Sequence, residues 1–176
     1  MDDGGGVAAV WAAATAIKNL KLGMKRRLRV AFWTAEEEGY FGSKHHYKVD
    51  GNGSNYVFVA ECDSGAFKPS SSESLVLTNT RPNSEWWQRM QAIAQLLNAA
   101  GVPMSVRENR GIRGLGDVKH WADDGVPGIT YQNQDTYDRY FTFHHTRADT
   151  MSIHSEEDID YTAALYAAFA YVAANL

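Results

Sequence analysis

Acidic and imidazole side chains gather at four places along this chain. They are Asp2-Asp3 ahead of Gly4-Gly5-Gly6, Glu36-Glu37-Glu38, the Glu61-Cys62-Asp63 run, and His144-His145 followed by Asp149. Carboxylate oxygen and imidazole nitrogen are donors that suit zinc, and a shared carboxylate can hold two ions roughly 3.5–4 Å apart for hydrolysis. The chemistry this donor set supports is metal-assisted attack of water on a polarised carbonyl.

Each cluster also has a reading without a metal. Asp2 and Asp3 can be an acidic tail or a helix cap. Glu36 to Glu38 can be a solvated helix start favoured by the helix dipole. Asp63 can simply end a strand, and paired histidines often only pack. What favours a site is placement. Two apolar runs, 28–33 and 56–60, read as buried strands with carboxylates just past their C-terminal ends, the edge where open α/β sheets bind ligands. The triple glycine lets backbone approach a crowded centre closely.

The elements that must position these groups can be read from periodicity. Val7, Val10, Trp11, Ala14, Ile17 and Leu20 give a helix over 6–22, ended near Gly23. A polar loop leads to a strand at 74–78, and Ser84 opens a second helix that Gly101 and Pro103 stop. Further strands are expected at 104–107 and 126–131, with a short helix at 117–123. The segments 108–116 and 132–150 read as loops, the second of them carrying the histidines. Ser155-Glu156-Glu157-Asp158 caps a last helix. Without repeats or composition breaks, the pattern predicts one α/β domain, a three-layer sandwich in which helices flank a central, mostly parallel mixed sheet.

Composition agrees. A chain of 176 residues is long enough to bury about 70% of its unfolded surface. Hydrophobic residues make up 44% and aromatics 12%, which argues against global disorder. The net charge of -4 and the absence of a basic stripe give no footprint for nucleic acid. No apolar run is long enough to span a membrane, and no secretory signal begins at Met1. Cys62 is the only cysteine, so no internal disulfide forms, and beside Asp63 it reads as a core thiol rather than a nucleophile. Asn52-Gly53-Ser54 is a glycosylation sequon.

Taken in order, Met-Asp-Asp-Gly-Gly-Gly at 1–6, Trp-Thr-Ala-Glu-Glu at 33–37, Glu-x-Asp-Ser-Gly-x-Phe at 61–67, Gly-Val-Pro-Gly at 125–128 and Phe-His-His-Thr-x-x-Asp-Thr at 143–150 resemble the co-catalytic zinc exopeptidases. The resemblance runs through essentially the whole chain. It implies that Asp2 is the aspartate bridging two zinc ions, that Glu37 and His145 complete the protein ligands of one ion, and that Asp63 serves the other. It also implies a cis Asp2-Asp3 peptide. Glu36 resembles the general base, taking a proton from the attacking water and returning it to the leaving amine. The expected activity is that of a carboxypeptidase or dipeptidase cleaving dipeptides or short peptides.

One ligand of the family pattern has no counterpart. A histidine in a Gly-His-x-Asp segment lies about a dozen residues before the bridging aspartate in the family, and here only Met1 precedes Asp2. The expectation is therefore a catalytic domain missing its N-terminal strands and first histidine, with the second ion keeping only Asp2 and Asp63. Recognition of a free chain end needs further groups. Tyr131, Tyr137 and Tyr140 are the phenols that could polarise the scissile carbonyl, and Arg113, with Arg107, Arg110, Arg139 and Arg147, could pair with a substrate carboxylate. The resemblance further implies a secreted or lysosomal location and a possible homodimer. Two other functions stay open on the sequence: an inactive scaffold kept for binding or assembly, and a single-zinc enzyme of the glutaminyl cyclase kind.

Overall fold

The computed structural model describes residues 1–50, 53–69, 74–109, 115–133 and 136–176. Its four strands are β1 (Val59–Glu61), β2 (Ser74–Thr78), β3 (Met104–Glu108) and β4 (Gly128–Asn133), joined in the order β1-β4-β2-β3. β1 runs parallel to β4 and β2 parallel to β3, while β2 and β4 are antiparallel. The sheet is thus mixed, and β1 and β3 are its edges.

Strand alternation sends the two sides of this sheet into different cores. On one side Cys62, Val76, Met104, Val106, Ile129 and Tyr131 pack with α1 (Gly4–Asn19), α3 (Glu85–Ala99) and α6 (Glu156–Asn175). On the other, Val59 packs with Leu115, Val118, Trp121 and Val126, around α4 (Lys119–Asp123), and with Trp33, Tyr47 and Tyr56. Trp121, 1% exposed, is the centre of that second core, and Trp33, Tyr47 and Tyr56 meet its indole at ring-centroid distances of 5.4–5.7 Å. The result is the expected α/β sandwich.

Helix ends follow local chemistry. Ser84 accepts from the Trp87 N–H at 3.2 Å to open α3. Ser155 and Asp158 form a reciprocal capping box on α6, with Ser155 N–H donating to Asp158 Oδ2 at 2.9 Å. Arg139 joins this cap, its guanidinium bonding both Asp158 oxygens at 3.2–3.3 Å and lying over the Phe67 ring at 4.1 Å.

Two expectations are corrected. The run 28–33 is not a strand: it passes beside the sheet without joining the ladder, and Phe32 is exposed. Between it, β1, α1 and α6 lies a groove of about 960 Å³. Leu28, Val30, Ala31 and Phe32 line this groove, and Trp33 also packs on Trp121 in the second core. The segment 132–150 is not a loop throughout, since it contains α5 (Thr136–Phe143), an aromatic-rich helix. A further helix, α2 (Phe41–Asp50), follows the glutamate cluster, where polar composition concealed its single buried residue, Ser43.

Candidate metal centre

The first donors are brought in by α1. Asp3 caps this helix, accepting from the Gly6 N–H at 3.0 Å. Gly6 packs so closely on the end of β1 that a Cβ there would overlap the Cys62 carbonyl oxygen. The helix start is thereby pressed onto the strand end that carries Asp63. Nor is Asp2 a frayed tail: Met1 is buried against Phe67 and Tyr140, and the Asp2 N–H donates to the Asp149 carboxylate at 3.1–3.2 Å. The Asp2-Asp3 peptide is cis, as the resemblance implied.

Glu36 and Glu37 sit on a tight turn ahead of α2. The Gly39 and Tyr40 N–H groups both donate to the Glu36 carbonyl at 2.8 Å, and the Gly42 N–H reaches back to Thr34 O at 3.0 Å. Ala35 and Tyr40 take left-handed backbone angles to close it, at φ 58° and 63°. Glu36 and Glu37 are therefore consecutive turn residues rather than members of a regular helix, and they meet different neighbours. Glu37 reaches His145, while Glu36 lies near the Gly116 backbone.

The imidazoles come from the end of α5. The His144 N–H continues the helical pattern to Tyr140 O at 2.9 Å, and His145 then turns left-handed at φ 57°. Here the donors meet. Ligand atoms of Asp2, Glu37, His144 and His145 all lie within 4.8 Å of one another. His145 Nε2 stands 2.8 Å from Glu37 Oε1 and 3.6 Å from Asp2 Oδ2, and His144 Nε2 is 3.4 Å from the same Asp2 oxygen. The other Asp2 oxygen accepts from the Tyr140 hydroxyl at 2.9 Å. Asp63 approaches Asp2 from β1, close enough for their side chains to hydrogen-bond.

Electrostatics shows that the cluster is short of positive charge. Burial, with Asp2 and Glu36 adding repulsion, pushes the Asp63 carboxyl up to about 7. Asp3 rises to about 9 through burial and the charge of Asp63, against the stabilising bond from Gly6. Glu36 is also raised, by desolvation first and then by Glu37, Asp117 and Asp2. His145 moves up as well, because Glu37 accepts its proton. A divalent cation would relieve this crowding, and two carboxylates with two imidazoles form a donor set that fits zinc.

Two carboxylates take on a role that the sequence did not assign them. Glu61 is buried beside the centre, pushed up to about 8 by desolvation, and accepts from the Gly116 and Asp117 N–H groups at 2.6 and 2.7 Å. It fixes the backbone that lies against Glu36. The sequence placed it in the acidic run at 61–63 without a role of its own, since its partners are more than fifty positions away. Asp117, itself raised mainly by desolvation, adds another carboxylate near Glu36.

Of the substrate-binding candidates, Tyr140 reaches the centre through Asp2. Tyr131 does not: it is 2% exposed in the main core, and its hydroxyl donates to Phe67 O at 2.6 Å. Arg139 is committed to Asp158. Arg107 lies on the edge strand β3. The side chain of Tyr137, and Arg110, Arg113 and Asn52, lie outside the described residues. Cys62 is a buried core thiol pushed up by desolvation, as expected.

The family model for peptidase family M28 matches residues 1–170. The chain belongs to this family. Carboxypeptidase Q of Bos taurus is 37% identical and that of Homo sapiens 36% identical, each over 100% of this chain and 35% of the relative. The chain thus spans about a third of the length of the curated relatives it matches. A peptidase M28 precursor from Shewanella amazonensis superposes with a TM-score of 0.77 at 30% identity, covering 100% of this chain and 38% of that one. The Legionella pneumophila LapA aminopeptidase shares the fold, with a TM-score of 0.72 at 22% identity over 99% of this chain and 46% of the other.

Proposed function

We propose that this chain is the catalytic domain of a zinc-dependent exopeptidase that hydrolyses dipeptides or short peptides. The observation that carries the reading is the convergence of Asp2, Glu37 and His145 at one point, with Asp63 touching Asp2 and Glu36 beside them, in a chain of family M28.

In this reading Asp2, Glu37 and His145 hold one ion, and Asp2 and Asp63 provide the position of a second. Zinc there would lower the pKa of a water and polarise the scissile carbonyl. The chain's own residues do the rest. Tyr140 and the Asp149 bond to the Asp2 N–H orient the bridging carboxylate. Glu36, whose raised affinity for protons comes from burial and neighbouring carboxylates, takes a proton from water and delivers it to the departing amine, a transfer that needs a base poised near the working pH. Glu61 holds the Gly116-Asp117 backbone that limits where Glu36 can move.

Relatives named carboxypeptidase Q support a substrate with a free C-terminal carboxylate. Among the described residues no helix is long and apolar enough to cross a membrane. The test is hydrolysis of unblocked dipeptides against C-terminally amidated ones, with zinc-loaded and chelator-treated protein. Cleavage that needs zinc and a free carboxylate is expected. Zinc-loaded protein that leaves every dipeptide intact would refute the activity.

A further inference from the structure

We propose that the groove between 28–33 and β1 is a slot for one extended strand of a separate polypeptide segment, parallel to both walls, apolar along its length and positively charged at its C-terminal end. The inference stands apart from the metal reading and needs no ion.

The walls run side by side in the same direction. Arg29 donates to the Tyr56 hydroxyl at 3.0 Å. Seven positions further along each wall, Glu36 lies close enough to Asp63 for its charge to act on that carboxyl. Equal intervals between these two cross-connections mean that both segments are extended with the same rise. Yet the walls do not pair with each other, and among the described residues 28–33 makes no backbone hydrogen bond. On β1 the Val59 N–H donates to Pro127 O at 3.0 Å, on the β4 side. In a parallel pair the next residue turns its N–H and C=O the other way, so Ala60 offers both to the groove. Two unpaired edges aligned across one groove are a template for a strand that bonds to both.

Side chains define what that strand must be. Val7, Val10 and Ile17 of α1 line the groove from one side of the sheet, and Trp33, Val59 and Val118 from the other. A strand covered on both faces is apolar at successive positions, and sheets covered in this way are the ones built from parallel strands. Charge then sets the ends. Arg26, Arg27 and Arg29 line the groove where both walls begin, and Glu36, Glu37 and Asp63 where both walls end, joined there by Asp2 and Asp3. A parallel strand brings its C-terminal end to the carboxylates, which attract lysine or arginine, and its N-terminal end to the arginines, which repel them. About seven residues at about 3.3 Å each fill the slot, the length of an ordinary strand.

Synthetic octapeptides with acetylated and amidated ends test this on the metal-free chain. One has six valine and isoleucine residues followed by two lysines. A second has the same composition with the lysines first, and a third has a proline within the apolar run. Calorimetry should show one lysine-last peptide bound per chain, the lysine-first peptide at least about tenfold weaker and the proline peptide not bound. Amide hydrogen exchange should slow at Ala60 and at alternate residues of 28–33 when the lysine-last peptide is added. Ala60→Pro removes an N–H that points into the groove and no bond to β4, so it should weaken the peptide while sparing the fold; the proline peptide serves the same purpose should that variant fold poorly. Equal affinity for the two lysine peptides, tighter binding of the lysine-first one, or no binding of any would overturn the proposal. So would an Ala60 amide that is already protected in the free chain and unmoved by peptide, because a second copy or 28–33 itself would then occupy the slot.

Discussion

Gly6 packs directly against the Cys62 carbonyl, with no room between helix α1 and strand β1 for a side chain. That contact sets the distance between Asp2, just ahead of the helix, and Asp63, just past the strand. A binding centre is therefore coupled to a backbone contact that involves no ligand.

Gly6→Ala should displace α1, because the neighbour that a Cβ meets is backbone and cannot rotate away. The expected cost is about 1–3 kcal/mol of stability, the scale of forced overpacking. Zinc affinity should fall in parallel. Thermal denaturation with and without zinc checks this: a variant with unchanged melting and unchanged zinc binding would show that the contact is slack.

Neighbouring glutamates should fail in different ways. Glu36→Gln is expected to lower peptide hydrolysis by about 10²–10⁴-fold while leaving zinc content unchanged, since it removes a base. Glu37→Gln should lose zinc, since it removes a donor that meets His145. Zinc analysis beside a hydrolysis assay separates them, and equal metal loss in both variants would end the division of labour.

The metal-free protein should become less stable as pH rises from about 4 to about 9. Asp63, Glu61 and Asp3 have folded-state pKa values of about 7, 8 and 9 against ordinary values of 3.8, 4.5 and 3.8. Above the ordinary values the unfolded chain releases protons that the folded chain keeps, so the folded state binds more protons and stability falls with pH. The loss levels off once these groups ionise in the folded state too. Zinc should reverse the trend, because binding requires deprotonated donors and His145 gives up its proton more readily as pH rises. Melting temperatures across this range, apo and zinc-loaded, provide the check, and an apo curve that rises with pH would contradict the buried-carboxylate account.

The candidate donors were legible because donor chemistry and element ends are local properties. Glu37, Asp63 and His145 each follow an apolar or aromatic run and Asp2 precedes the glycines that open α1, and the structure brings these positions together. Two kinds of feature were not legible. Glu61 matters through backbone N–H groups of Gly116 and Asp117, and nothing in its own neighbourhood announces a loop that distant. The segment 28–33 failed for the opposite reason. Its nearly continuous apolar run reports strand propensity, but a strand also needs a neighbour in register, and here a groove takes that neighbour's place. Tyr131 shows the limit of residue type alone, since the same phenol serves a site or a core depending on which face of β4 it takes.

That groove yields the last prediction. β1 is an edge strand whose Ala60 is exposed, and the apolar side chains of Val7, Val10, Ala13, Ile17, Phe32 and Phe58 line the space beyond it. At the rim, Trp11 is 64% exposed and Phe32 48%, their rings 6.5 Å apart. An uncovered strand edge above apolar helix faces is a template for pairing with another chain. The chain should therefore self-associate as concentration rises, and bind a hydrophobic dye while folded. Trp11→Lys should reduce association, because it removes the largest exposed ring without touching a donor to the metal centre. Sedimentation velocity over a concentration series measures this. A monomer at all concentrations that also fails to bind dye would mean that the groove closes in solution, with 28–33 moving in to pair with β1.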